Sequence, residues 1–196
     1  VKRTVADHLD FEDFLNCLSS AALSPLRTTV FRSAEPAFAS TRDMLTGEGS
    51  RTYGGRWNRP RSFATVYASA EDSTALAEAK STFVYYGLDP SDALPRVLIA
   101  IDLNFCKILD LHNPQVHKRL GVSTTRMRAD DWRRANAKGT ESLTQAIGRA
   151  AYLIGAEGLI VPACDGKKNV VWFPGNLATA SNVTIRNENK LRDLWK

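Results

Sequence analysis

The stretch "YGGRWNRPRSFATVYAS", Tyr53 to Ser69, is more elaborate than a plain hairpin requires. Two glycines and a run of alternating residues would make the turn and the strand. They do not account for a guanidinium set between Gly55 and Trp57. Paired glycines permit backbone geometries and close approaches that other residues forbid. Arg56 beside them is placed to meet a pyrophosphate, Trp57 supplies packing area, and Asn58 satisfies turn amides. A structured hairpin with an incidental arginine explains the same residues. After the turn, "SFATVYAS" reads as a strand with Phe63, Thr65 and Tyr67 on one face.

Outward from this segment the chain reads as α+β. An amphipathic helix opens it, capped by Asp10, with Phe11, Phe14, Leu15 and Leu18 at helical spacing. Val30 to Ser33 is a short strand, and Ala39 to Thr52 a polar loop with at most a helical turn. Ser69 caps a helix over residues 70–86 that stops at Gly87. "PRVLIAIDL" alternates Val97, Ile99, Ile101 and Leu103 as a strand. A helix from Glu141 to Ile154 ends at Gly155, and "GLIVPA", "KNVVWFP" and "SNVTIRN" are three closing strands. Strands and helices do not alternate strictly, which argues against a doubly wound parallel sheet. A curved, partly split sheet with flanking helices fits better.

Composition sets outer limits. The chain has 196 residues, 43% hydrophobic and 24% charged, enough for a packed core in one domain. The longest apolar runs are too short to span a bilayer, and no signal peptide is visible. Three widely spaced cysteines, Cys17, Cys106 and Cys164, read as free thiols of a reducing compartment. The three histidines form no metal pattern. A net charge of +5 suits an anionic partner. The densest basic stretch, "TRMRADDWRR", is interrupted by two aspartates and reads as a solvated helical face. No Gly-x-Gly-x-x-Gly or P-loop pattern occurs, and no nucleic-acid-binding motif is present.

Besides Arg56, three residues could carry chemistry. Arg32, in "VFRSAEP", is a strand arginine able to grip phosphate or carboxylate with two donors; a surface ion pair is the bland alternative. Tyr67 could stack on a flat ring or belong to the core. Glu78, in "STALAEAKSTF", is flanked by small residues that leave room for a ligand; it could face a ribose or a developing oxocarbenium ion, or only pair with a nearby cation.

A strand Arg, then "GGRWN", a strand ending in Tyr and a helix carrying "ALAE" resemble, in that order, the RES-domain family. "QAIGRAAYLIGAEGLIVPA" and "NVVWFPGNL" resemble its closing helix and strands, so the likeness covers residues 31–185, with 1–30 as an N-terminal helical extension. The resemblance implies an ADP-ribosyltransferase-like fold and an NAD pocket without metal. It implies a cytoplasmic toxin that cleaves NAD by hydrolysis or phosphorolysis, or modifies a protein with ADP-ribose. An antitoxin, of helix-turn-helix type, would cover the pocket, and a homo-oligomer is compatible. By position, Arg32, Tyr53, Arg56, Trp57, Asn58, Tyr67 and Ala163 fall on the NAD-binding places, and Glu78, Arg56 and Tyr67 on the catalytic ones. One position departs from the pattern: Ala163 stands where the family has its serine. Cys164 follows it, but strand alternation would turn that side chain away. Ser181 or another polar group would then have to replace the hydroxyl, or the site is weakened to a binding module.

Overall fold

A computed structural model describes residues 11–189. The helix cap read at Asp10 lies outside them. The first helix, α1 (Phe11–Ser19), turns Phe14 and Leu18 into the core. The helical extension ends there, because β1 (Ser24–Ala34) begins well before Val30.

Six strands form one sheet: β1, β2 (Val66–Ser69), β3 (Val97–Asp110), β4 (Gly158–Pro162), β5 (Lys168–Trp172) and β6 (Asn182–Ile185). Their order is β1-β2-β5-β4-β3-β6, and β1 also pairs with β3, so five strands close into a barrel-like ring and β6 lies alongside β3. Only β3 and β4 run parallel. The sheet is therefore a closed ring rather than the split sheet expected from sequence. It is thinnest between β1 and β2, where a single pair, Phe31 with Ser69, joins the strands.

Strand alternation divides the apolar residues between two cores. Val30, Val66, Ala68, Ile99, Ile101, Leu103, Val170 and Trp172 fill the inside of the ring. Leu159, Val161, Val171 and Phe173 face outward against α1 and against α8 (Leu143–Leu153). One extra residue in β3 makes a bulge, where Phe105 and Ile108 oppose Leu26 and Ser24. The amides of Cys106 and Lys107 in that bulge turn to Glu157 Oε2, at 2.7 and 3.3 Å.

Three local readings give way to tertiary context. Residues 39–52 hold two short helices, α2 (Thr41–Thr46) and α3 (Glu48–Tyr53), with Ser40 capping the first and Gly47 at φ 69° as the joint. The strand after the turn is only β2, because Asn58 and Ser50 take the backbone of Phe63 and Thr65 out of the ladder. Ser69 is a buried strand residue, so α4 (Asp72–Tyr85) starts after Glu71 without a side-chain cap. Between β3 and α8 lie α5 (Pro114–Leu120), α6 (Thr124–Ala129) and α7 (Trp132–Ala137), the last two formed by the basic stretch. No described helix is long and apolar enough to cross a membrane.

Candidate active site

The outer faces of β2, β4 and β5, the side of α4 and the α6–α7 segment enclose a cleft of about 900 Å³, within the span of small-molecule sites, roughly 300–1,000 Å³. Arg32, Arg56, Trp57, Tyr67, Glu78 and Ala163 all line it. Two sequence-predicted residues do not. Tyr53 is 78% exposed outside the cleft. Asn58 is fully buried beneath it, donating to Ser50 O at 2.7 Å and accepting from the Tyr67 hydroxyl at 2.8 Å.

The GGRWN turn is clamped from below. Gln145, buried in α8, donates to Gly55 O at 2.9 Å and to Asn136 Oδ1 at 2.8 Å. Its side-chain oxygen completes the capping box of α8 with Ser142. Gly148 packs so closely on the Trp57 carbonyl that a Cβ would collide with it, and a Cβ at Gly55 would strike the Tyr67 hydroxyl. Trp57 is 1% exposed and anchors the turn in the outer core. The Tyr67 hydroxyl accepts the Trp57 N–H at 3.0 Å while donating to Asn58. Burial, only partly countered by that amide and by Arg56, pushes its pKa upward.

The two arginines are held differently. Arg32 donates through Nη1 to Tyr67 O at 2.7 Å, and its Nε is buried without a partner. Burial, with Arg96 nearby, lowers its pKa to about 10. It remains a cation at neutral pH, poorly solvated and incompletely bonded, a state that favours an anionic ligand. Arg56 donates through Nη1 to Met127 O at 2.9 Å and Asp130 O at 3.0 Å. These carbonyls close the end of α6, where a cation is favoured. Burial lowers the Arg56 pKa, with Asp130 and Glu78 opposing. The basic stretch thus supplies the carbonyls that aim Arg56.

Glu78 projects from α4. Its Oε1 accepts the Cys164 N–H at 2.8 Å and Asn169 Nδ2 at 2.7 Å. Both bonds fall on one oxygen. Asn169, on β5, lay inside the quoted "NVVWF" block, but nothing in its spacing singled it out. Cys164 does line the cleft, contrary to the alternation argument, because β4 ends at Pro162 and residues beyond it turn. Burial first, then Glu78 and Asp165, pushes its thiol up to about 11, so it stays protonated. Ser181 is not a substitute for the family hydroxyl: it lies outside the cleft and donates to Glu157 at 2.8 Å. A wall unforeseen from sequence completes the site, with the Arg133 guanidinium 4.5 Å from the Trp132 ring centre and 4.8 Å from that of Tyr85. Among the described residues no cluster of His, Cys, Asp or Glu could hold a metal ion, and no cysteine is disulfide-bonded.

The pattern of the RES domain family matches residues 29–193. The chain belongs to the RES domain family. Among curated RES relatives, the NAD(+) phosphorylase MbcT of Mycobacterium bovis and that of Mycobacterium tuberculosis are each 32% identical over 152 residues, covering 74% of this chain and 77% of theirs. A similar solved structure is the crystal structure of the M. tuberculosis MbcT–MbcA toxin–antitoxin complex. It aligns with a TM-score of 0.65 and 23% identity, over 93% of this chain and 97% of the matched one. That likeness establishes the shared fold, an α+β RES domain with a closed, barrel-like sheet.

Proposed function

We propose that this RES domain is a toxin that destroys NAD by breaking its nicotinamide–ribose bond, with inorganic phosphate as the acceptor. The observation that carries this reading is the meeting of Arg32, Arg56 and Glu78 in one cleft. The phosphate acceptor rests on the phosphorylase activity in the names of the curated relatives. The bond to be broken joins a sugar carbon to a pyridinium. Nicotinamide departs with the bonding electron pair and becomes neutral, so no general acid is needed. Arg32 and Arg56 hold the pyrophosphate, and Tyr67 and the aromatic wall confine the rings. Glu78 stabilises positive charge as it develops on the ribose. A phosphate oxygen then bonds to the anomeric carbon. In this reading the sheet is related to that of ADP-ribosyltransferases.

The partner follows from the hazard of the chemistry. An enzyme consuming NAD in the cytoplasm needs a restraint, and a toxin–antitoxin pair is what the solved neighbour contains. We read the partner as an antitoxin of helix-turn-helix type that covers the cleft and meets its arginines with an acidic segment. The whole chain acts as one unit, since α1 shares the outer core with α8.

The test is product identification by mass spectrometry after incubating the purified chain with NAD, with and without phosphate. ADP-ribose phosphate is expected, dependent on added phosphate. ADP-ribose alone would make it a hydrolase. ADP-ribose on the protein would make it a transferase. Intact NAD that nonetheless binds would favour a non-catalytic module, the reading that Ala163 keeps alive.

A further inference from the structure

We propose that Asn169 forms a hydroxyl-binding subsite: its side-chain oxygen accepts a hydrogen bond from the diol of the nicotinamide ribose while its amide nitrogen holds Glu78. This rests on the NAD reading and adds a substrate contact to it. The amide orientation is fixed by chemistry, because Nδ2 lies 2.7 Å from Glu78 Oε1 and a flipped amide would press two acceptors together. The other end, Oδ1, is buried and has no donor. Buried polar atoms are almost always paired, so an orphan calls for an explanation.

Five described side-chain atoms share that condition: Arg32 Nε, Thr46 Oγ1, Thr65 Oγ1, His112 Nε2 and Asn169 Oδ1. Only Arg32 and Asn169 belong to residues lining the cleft. One is a donor suited to phosphate and the other a neutral acceptor suited to a hydroxyl. Asn169 is also preorganised, since β5 is paired on both sides and Asn169 stands opposite Ser69 and Val161. Because its nitrogen already touches Glu78, its oxygen sits beside the same carboxylate. Two adjacent acceptors match two adjacent hydroxyls, which selects the ribose diol over the carboxamide of nicotinamide. A carboxamide bound here would carry Glu78 away from the anomeric carbon.

The experiment measures kcat and KM for release of the base, using the full chain with phosphate. Its substrates are NAD, analogues lacking the 2′- or 3′-hydroxyl of the nicotinamide ribose, and the 3-acetylpyridine analogue, which lacks the carboxamide NH2. Asn169→Ala is expected to lower kcat/KM for NAD roughly 5- to 100-fold and to erase most of the wild-type discrimination against one deoxy analogue. Such non-additivity is what a direct contact produces. Asn169→Asp keeps an acceptor but sets a carboxylate against Glu78. It should retain that discrimination while kcat falls and the pH profile shifts upward. Equal deoxy penalties in wild type and Asn169→Ala would overturn the subsite and leave Asn169 as a support for Glu78 alone. Loss of discrimination against the acetylpyridine analogue instead would overturn the ribose assignment. Should Asn169→Ala fail to fold, wild-type indifference to both deoxy analogues is equally fatal. Wild type that leaves NAD intact would remove the NAD reading and the subsite together.

Discussion

Glu157 and Glu78 both tie the backbone of one element to another, but they are used to different extents. Glu157 is fully buried. Its Oε2 accepts the bulge amides of Cys106 and Lys107, and its Oε1 accepts the Ala178 N–H at 2.9 Å. The Ser181 hydroxyl reaches both oxygens. Glu78 accepts the Cys164 N–H and the Asn169 amide on the single oxygen Oε1, has the Cys164 thiol beside it, and lines the cleft. A carboxylate whose oxygens are all engaged holds a fold together. One that lines a cleft, beside an asparagine with an orphan acceptor, is equipped to meet something from outside.

Replacing Glu78 should give the largest effect on activity. Glu78→Gln is expected to slow nicotinamide release by about 10²–10³-fold with little change in melting temperature. Undiminished turnover would break the contrast. Glu157→Ala should reverse the pattern, costing on the order of 2–4 kcal/mol of stability in urea unfolding as its amide donors lose their acceptor. Activity per folded molecule should be retained.

A pH titration sharpens the same contrast. Burial alone would raise the Glu157 pKa, but its hydrogen bonds from Ala178, Ser181, Cys106 and Lys107 outweigh that and hold it below the usual glutamate value. A depressed folded pKa stabilises the protein above the unfolded value, about 4.3. That stabilisation is lost as pH falls through the folded value. Melting temperature should therefore drop on acidification below about pH 4–5, and Glu157→Gln should flatten that part of the curve.

Tyr67→Phe probes the boundary between the two regions. The hydroxyl is engaged by Trp57 and Asn58, so the loss should appear in stability, about 1–2 kcal/mol. Turnover should change by no more than a few-fold, since the ring remains. A collapse of kcat with unchanged stability would show that the hydroxyl, not only the ring, reaches the substrate.

The same division decides what was legible in the sequence. The helix over 143–153 and the strand from Val97 carry their own periodicity, while the helix over 72–85 was legible from its stop at Gly87, which has φ 69°. The resemblance brought Arg32, Arg56, Tyr67 and Glu78 together, and they line one cleft. What escaped depends on contacts distant in the chain. The β3 bulge needs Glu157, 50 residues or more away, to satisfy its amides. The α6 end matters because Arg56 bonds to it from 71 residues away. Gln145 did leave a local trace, the Ser-x-x-Gln spacing of a capping box, yet its nitrogen reaches the GGRWN turn. The resemblance also put Tyr53 and Asn58 among the binding places, but the turn leaves Tyr53 exposed outside the cleft and buries Asn58 beneath it.

Ala163→Ser is the smallest change and asks how far the family hydroxyl matters here. Ala163 is 1% exposed, and its N–H already donates to Lys167 O at 3.0 Å. Because Ala163 lines the cleft, an added hydroxyl is tested as a contact to the ligand there. One neutral hydrogen bond contributes about 0.5–1.5 kcal/mol, so kcat/KM for NAD should rise roughly 2- to 10-fold. The Asn169 and Cys164 contacts to Glu78 do not involve residue 163, so the carboxylate should stay oriented in either variant. A rise of several hundredfold would be too large for one neutral bond. It would mean that the serine organises Glu78 in ways this cleft lacks, and that the chain with alanine is closer to a binding module than to an enzyme.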